Sequence, residues 1–284
     1  MNIYYEQLMK FKGADELRET VKKWDTLSEN INKRSFDAPI VLPDLFMYTK
    51  PGCGNTELIS ILAEYLDSKR NLMSFYGDVK FFEFKLEYCK PDAEFNELFR
   101  LIDSVNTAAG FRNEYKGIIR INIDDWVGHH REKHFIDFLQ FLQINTAYWL
   151  VILSISTIEE NEKTKELESL VSMYLRIQKV TIHHPTNDEF VEYACEHLAK
   201  YGFSIDDSGK ELLKDSIEVL RKNKYFYGLS TVIDMCNDIV YNLFSETTNV
   251  SNIITADMLD DFCAESEYIK RTVTKNKAKK TIGF

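Results

Sequence analysis

The sequence has little glycine, proline or cysteine. Only 11 glycines and 5 prolines occur among its 284 residues, which argues against a β-sandwich rich in glycine and proline turns. The five cysteines are odd in number and far apart, with no C-x-x-C pair. This usage excludes a disulfide framework and an ordinary zinc site, and it is typical of a reducing compartment. We therefore expect a cytoplasmic protein.

Long apolar runs are also missing. The best candidate, Tyr148–Ile155, has the length of a strand and is far shorter than the ~18 residues of a membrane span. The opening MNIYYEQLMKFKG has no basic segment followed by an apolar core, so no secretory signal and no membrane partner are expected. The composition, 44% hydrophobic and 28% charged, is that of a globular chain of about two domains.

Charge is unevenly distributed along the chain. The 35 basic and 45 acidic residues give a net charge of −10, and six of the basic residues lie in Lys270–Lys280, which contains no acid. An acidic body argues against a broad nucleic-acid footprint, because such binding requires a cationic face. We expect direct nucleic-acid binding only through this basic tail, for which a plain solvated tail is the alternative.

Hydrophobic periodicity divides the chain near Pro185. Before it, five short β-branched or aromatic runs alternate with helical patterns, which predicts a parallel α/β sheet with helices on both faces. After it, helical spacing alone predicts a four-helix lid. The predicted strands are Ile40–Tyr48, Val79–Leu86, Gly117–Ile123, Tyr148–Ile155 and Ile177–Ile182. The predicted regions are a helical lead-in (1–36), an α/β core (37–185), a lid (186–269) and the basic tail (270–284).

The strongest chemical signal is the turn after the first strand, which reads YTKPGCGNTEL over residues 48–58. A phosphate cradle needs successive backbone N–H groups, glycines that permit close approach, and a helix N-terminus directly behind. The Thr56 hydroxyl also stands where it would ligate Mg²⁺. An ordinary tight turn is the alternative. The candidate phosphate-binding residues are Pro51, Gly52, Cys53, Gly54, Asn55, Thr56 and Glu57.

A pair of acids follows the third predicted strand, in INIDD over residues 121–125. Such a pair at the end of a buried strand is costly unless it meets a cation or a catalytic water. In a nucleoside triphosphatase the first acid holds Mg²⁺ and the second polarises the attacking water. Asp124 is therefore the candidate metal ligand and Asp125 the candidate base, although Asp124 as a helix cap is the alternative. Arg120 and Asn122 are unexpectedly polar for a central strand.

With these motifs the chain resembles the AAA+ ATPases, in particular the subgroup of stage V sporulation protein K and the Rubisco activase CbbX. The glycine turn and its helix resemble the family's phosphate loop, and INIDD resembles its Walker B strand. WLVILSIS resembles the strand carrying sensor 1, which implies that Ser156 positions water. FYGLST, residues 226–231, resembles the sensor 2 turn. The resemblance covers roughly residues 12–284 and implies ATP and Mg²⁺ as cofactors, with a protein partner or a homo-oligomeric ring.

The departures from the family pattern favour a degenerate member. Asn55 stands at the lysine, Thr231 stands at the sensor 2 arginine, and Arg176 is the local candidate for the arginine finger. Losing one charge-assisted bond to phosphate costs roughly 1.5–3 kcal/mol, and a missing arginine finger costs about 10³–10⁵ in rate. We expect weak ATP binding by a structural or regulatory subunit. The alternatives are a slow ATPase that remodels a protein partner, and a clamp-loader-like subunit.

Overall fold

The computed structural model describes residues 2–34, 40–73, 80–88, 91–108, 117–222, 226–245, 251–263, 266 and 268–270. These residues divide into two compact units. The first comprises Met1–Lys50 and Asn55–His183, and the second comprises Pro51–Gly54 and His184–Phe284. Of the predicted basic tail, only Lys270 lies within the described residues.

The first unit is built on a parallel sheet of five strands. The strand order is β2-β3-β4-β1-β5, and every neighbouring pair is parallel. The predicted five-stranded α/β core is therefore confirmed, and the carboxyl ends of all five strands lie at one edge. The strands are β1 (Asp44–Thr49), β2 (Phe81–Lys85), β3 (Gly117–Asn122), β4 (Trp149–Ile155) and β5 (Ile177–Ile182).

Burial explains why the strands appear in the sequence as continuous apolar runs. Every residue of β4 is buried, and so is every residue of β1 after Asp44, because helices cover parallel sheets on both faces.

No helix in the described part of the chain combines the length and hydropathy that a bilayer span requires. The helices of this unit are α1 (Ile3–Lys10), α2 (Asp15–Arg34), α3 (Asn55–Asp67), α4 (Pro91–Ala108), α5 (Lys133–Asn145) and α6 (Glu162–Ser172).

An aromatic cluster fixes the turn that follows β3. A short 3-10 helix, Asp124–Trp126, leaves the strand, and its last residue is fully buried. The Trp126 ring stacks on Phe135 with a centroid distance of 5.2 Å, and Phe95 stacks on Phe138 at 5.4 Å. Stacked aromatic pairs contribute about 0.5–1.5 kcal/mol beyond their buried area. The indole therefore anchors the turn that carries the two acids.

The second unit contains helices α7 (Asn187–Ala199), α8 (Asp207–Arg221) and α9 (Leu229–Ser245) around its own apolar core. A capping box lies at the start of the first of these helices. Thr186 Oγ1 accepts the N–H of Glu189 at 3.2 Å, and the Glu189 carboxylate accepts the N–H of Thr186 at 2.8 Å. These reciprocal bonds satisfy two donors at the start of α7.

Two expectations for this unit require correction. The predicted strand-free region contains a parallel pair, β6 (Ser204–Ile205) and β7 (Ile253–Ile254), which is too short to produce an alternating pattern. The fourth predicted helix, Thr255–Ile269, begins as a 3-10 helix over Ala256–Phe262. There the Phe262 carbonyl accepts the Ser216 hydroxyl at 2.7 Å, so a tertiary hydrogen bond satisfies a carbonyl at the end of this helix.

Asp44 gives the first unit a testable pH dependence. Burial raises the pKa of this carboxyl to about 7, against the opposing effects of the Val151 N–H that it accepts at 2.8 Å and of the Arg176 charge. Because the folded pKa exceeds the ordinary value of 3.8, the contribution of Asp44 to stability is full below that value and is lost as the pH rises to about 7.

We expect Asp44→Asn to remove this loss, because the amide oxygen can still accept the Val151 N–H and carries no charge. Between pH 4 and pH 8, the free energy of unfolding of the wild type should fall relative to the variant by about 2–4 kcal/mol, since each pKa unit corresponds to about 1.4 kcal/mol. Urea unfolding at each pH measures this difference. Asp103→Asn, at an exposed position of α4, is the control, and an equally large trend there would contradict the assignment to Asp44.

Candidate functional site

The loop between β1 and α3 has the backbone of a tight glycine turn. Gly52 and Gly54 have φ angles of +84° and +73°, in the left-handed region that favours glycine. Helix α3 begins at Asn55 directly behind them, and the first N–H groups of a helix have no intrahelical partner. Cys53 is buried, whereas Glu57 is exposed in the first helical turn. These are the backbone features of an anion cradle.

Within the second unit, the backbone of the 226–231 turn packs closely against Gly52. A Cβ atom on Gly52 would lie 2.3 Å from the carbonyl carbon and oxygen of Tyr227. A Cβ on Gly228, where φ is +55°, would lie 2.1 Å from the Gly52 oxygen. The N–H of Leu229 donates to that same oxygen at 3.1 Å. The glycine at position 52 therefore serves a backbone-to-backbone contact with the 226–231 turn.

Two neighbouring contacts hold this arrangement. The Thr231 hydroxyl accepts the N–H of Tyr227 at 3.0 Å and is itself buried. His184 Nε2 lies 2.9 Å from the Pro51 carbonyl oxygen. Thr231, which the sequence resemblance placed at the sensor 2 arginine, thus stabilises its own turn.

The Asn55 side chain is directed back to the strand. The hydroxyl of Thr49, which is buried, donates to Asn55 Oδ1 at 2.9 Å. This bond ties the last residue of β1 to the first residue of α3 across the loop. Because an amide carries no charge, position 55 cannot supply the point charge that a lysine places on phosphate.

Thr56 meets an acid that the sequence did not single out. Its hydroxyl donates to Glu83 Oε2 at 2.9 Å, and Arg120 Nη1 lies 2.8 Å from Glu83 Oε1. Glu83 and Arg120 are direct partners in the register of β2 and β3, so their side chains share one face of the sheet. We refer to Thr56, Glu83 and Arg120 as the edge triad. The polarity of Arg120 was its only sequence signal, because the partner depends on strand register.

Asp124 joins the ends of β3 and β4. One carboxylate oxygen accepts the N–H of Ser156, and the other accepts Asn122 Nδ2 at 3.0 Å. The same Asn122 amide lies 3.2 Å from Ser156 Oγ. The structure therefore brings Asp124 and Ser156 together, and it pairs Thr56 with a different acid. A helix cap was the alternative role for Asp124. In the structure, its side chain instead accepts hydrogen bonds from the ends of two strands.

The remaining candidate residues lie in two different places. Asp125 is half-exposed at the carboxyl edge, where its Oδ2 is 3.5 Å from Lys85 Nζ, and exposed pairs of this kind contribute little to stability. Arg176 directly precedes β5. Its guanidinium donates to the Val41 carbonyl, and its backbone carbonyl accepts the Asp44 N–H at 2.9 Å. It therefore lies at the amino edge of this sheet, opposite the loop.

The edge residues do not fit a bound magnesium ion. The carboxylate that meets Thr56 is already neutralised by Arg120, and both oxygens of Asp124 already accept hydrogen bonds from the protein. Among the described residues, no group of three or more His, Cys, Asp or Glu side chains could hold a metal. Magnesium demands near-octahedral oxygen ligands, and the guanidinium would repel it.

Similar folds occur among solved structures. RuvB, the Holliday junction branch migration motor of Thermotoga maritima, matches with a TM-score of 0.52 at 15% identity, over 92% of this chain and 76% of that chain. A single-substitution variant of that protein gives a TM-score of 0.53 at 15% identity, over 90% and 70%. The delta protein of the Bacillus subtilis DNA clamp loader gives a TM-score of 0.38 at 15% identity, over 84% and 62%, which is too low to indicate a shared fold.

No protein-family model and no curated protein matches the sequence. At 15% identity the matches to solved structures show the fold alone. Together with the strand order, they confirm the predicted P-loop NTPase fold of the AAA+ type. The narrower resemblance to the sporulation protein K and CbbX subgroup stays a prediction.

The contact between Gly52 and Gly228 predicts a specific sensitivity to alanine. Gly202 has nearly the same φ, +83°, but nothing lies within 4 Å of a Cβ built there. Gly202→Ala should therefore cost only the strain of a left-handed alanine, about 1–2 kcal/mol. Gly52→Ala adds a collision with the Tyr227 backbone, so we expect at least twice the loss, measured by thermal and urea unfolding. Equal losses would contradict a tight contact.

Proposed function

We propose that the chain is an AAA+-type nucleotide-binding protein that binds ATP weakly through the loop Pro51–Glu57. The observation that carries this proposal is the glycine loop at the carboxyl end of β1, with α3 directly behind it. Parallel α/β sheets bind ligands at this edge, and a helix N-terminus there favours anions. We assign the chain to the sporulation protein K and CbbX subgroup on its sequence resemblance.

The same geometry supports binding without efficient turnover. Negative charge that develops on the phosphates during hydrolysis must be met by preorganised cations. Asn55 is neutral and bonded to Thr49, and Arg176 lies at the opposite edge of the sheet. Thr231 has no charge to contribute. We therefore propose a structural or regulatory role in an assembly, with a protein partner or further copies of the chain forming a ring.

A slow ATPase that remodels a protein partner is the second candidate function. It is favoured by the placement of Asp125 and Ser156 just beyond the carboxyl ends of β3 and β4, where a base and a water-positioning hydroxyl would act. Lys85 beside Asp125 opposes this role, because a cation holds the carboxylate in a charge pair. A clamp-loader-like subunit would tolerate the missing lysine, but the net charge of −10 opposes direct DNA contact.

Asn55→Lys tests the loop. A lysine here should restore roughly 1.5–3 kcal/mol of phosphate interaction and tighten ATP binding by about 10-fold or more. Turnover should remain low, because the arginine contributions are still missing. Calorimetry and a phosphate-release assay measure the two effects. Asn145→Lys adds the same charge at the last residue of α5, which leads to the amino edge of the sheet, and should change neither.

The outcomes separate the candidate functions. Tighter binding with little hydrolysis supports the binding module. A large rise in both affinity and turnover favours the slow ATPase. If neither changes, residue 55 does not face phosphate, and the proposed nucleotide site is wrong.

A further inference from the structure

Arg120 is a charged residue in the interior of a sheet. It lies in the middle of β3 between Ile119 and Ile121, which are fully buried, and its own side chain is only 15% exposed. Placing an ion there is costly unless it is paired and hydrogen-bonded. The role that we proposed for the loop does not by itself account for this residue.

The contacts of Arg120 lead directly to the loop helix. Its Nη1 lies 2.8 Å from one oxygen of Glu83, and its Nε donates to Ser154 Oγ at 3.3 Å. The other oxygen of Glu83 accepts the Thr56 hydroxyl at 2.9 Å. One carboxylate therefore joins the guanidinium to the hydroxyl that was predicted to ligate magnesium.

In a nucleoside triphosphatase, a divalent ion neutralises carboxylates and developing phosphate charge beside that hydroxyl. In the edge triad a protein side chain already neutralises the carboxylate. Within the described residues, the hydrogen bonds of Arg120 use two of its five N–H donors, and the guanidinium fork suits phosphate oxygens. The edge triad therefore has no net charge, and its positive charge, the Arg120 guanidinium, is held in place by the protein.

We propose that Arg120 takes the electrostatic place of the divalent cation at this edge, so that the chain binds its nucleotide as the metal-free anion. This inference rests on the proposed function and specifies the form of the ligand. Magnesium captures ATP through its phosphates. Excess Mg²⁺ should therefore weaken ATP binding to this chain by depleting the form that binds, whereas it would strengthen binding at a site that needs the metal.

Calorimetric titration of the full chain with ATP, in EDTA and in excess Mg²⁺, tests whether Mg²⁺ weakens or strengthens ATP binding. The wild type should bind ATP more tightly in EDTA. Arg120→Gln should bind ATP more tightly in Mg²⁺ than in EDTA, because Glu83 and Thr56 are then free to coordinate a cation. Arg120→Lys keeps the charge and should behave as the wild type. Tighter binding by the wild type in Mg²⁺ would overturn the proposal.

A second measurement uses the metal alone and needs no nucleotide. Electron paramagnetic resonance of added Mn²⁺ should show no binding by the wild type at this edge and binding by Arg120→Gln. If ATP binds in neither medium, the proposed nucleotide function fails, and the Mn²⁺ result still decides the role of Arg120. Binding of Mn²⁺ by the wild type, or by neither protein, would overturn that role.

Glu83→Gln keeps the inference testable if Arg120→Gln does not fold. Losing this carboxylate frees the guanidinium, so metal-free ATP should bind about 3- to 10-fold more tightly, as expected for one removed charge near a bound anion. Glu64→Gln is the matched control. Glu64 pairs with Lys80 at 2.6 Å, and its side chain is about as exposed as that of Glu83. It lies about 12 Å beyond Thr56 along α3, so its charge is largely screened from the loop. An equal effect of both variants would contradict the proposal.

Discussion

The parallel pairing of β3 with β4, and of β4 with β1, is the constraint on which the contacts at the carboxyl edge depend. Asn122 is paired with Ser154, and Met47 is paired with the same residue from the other side. Because parallel strands run in one direction, each delivers its last residues to the same edge. The last residues of β1, the acids after β3 and Ser156 lie at one edge of the sheet for this reason.

Once these groups share an edge, their charges must be balanced in a half-buried setting. The chain does this with its own side chains, since Arg120 neutralises Glu83 and Lys85 lies beside Asp125. Asp124 is stabilised by hydrogen bonds from Ser156 and Asn122. A carboxylate held in this way has a smaller need for a metal ion. The polar edge is therefore compatible with an anionic ligand that brings no cation of its own.

The loop itself combines two demands on the backbone. Gly54 turns the chain into α3 with a left-handed φ, and Gly52 meets the backbone of Tyr227 and Gly228. Both demands disfavour a Cβ, but for different reasons: dihedral strain at Gly54, and strain together with a collision at Gly52. A glycine in a loop of this kind is thus not by itself a measure of phosphate binding.

The sequence by itself determined the order of strands and helices, the glycine loop before α3 and the acids after β3, because burial on a strand or helix face is recorded as local periodicity. It missed the short β6–β7 pair, which is too brief to show a period. Only the tertiary structure decided that Glu83 is the partner of Arg120, that Gly228 meets Gly52, and that Arg176 lies at the opposite edge. These contacts depend on strand register and on packing between residues distant in sequence, and hydropathy carries no information about which distant residues become neighbours.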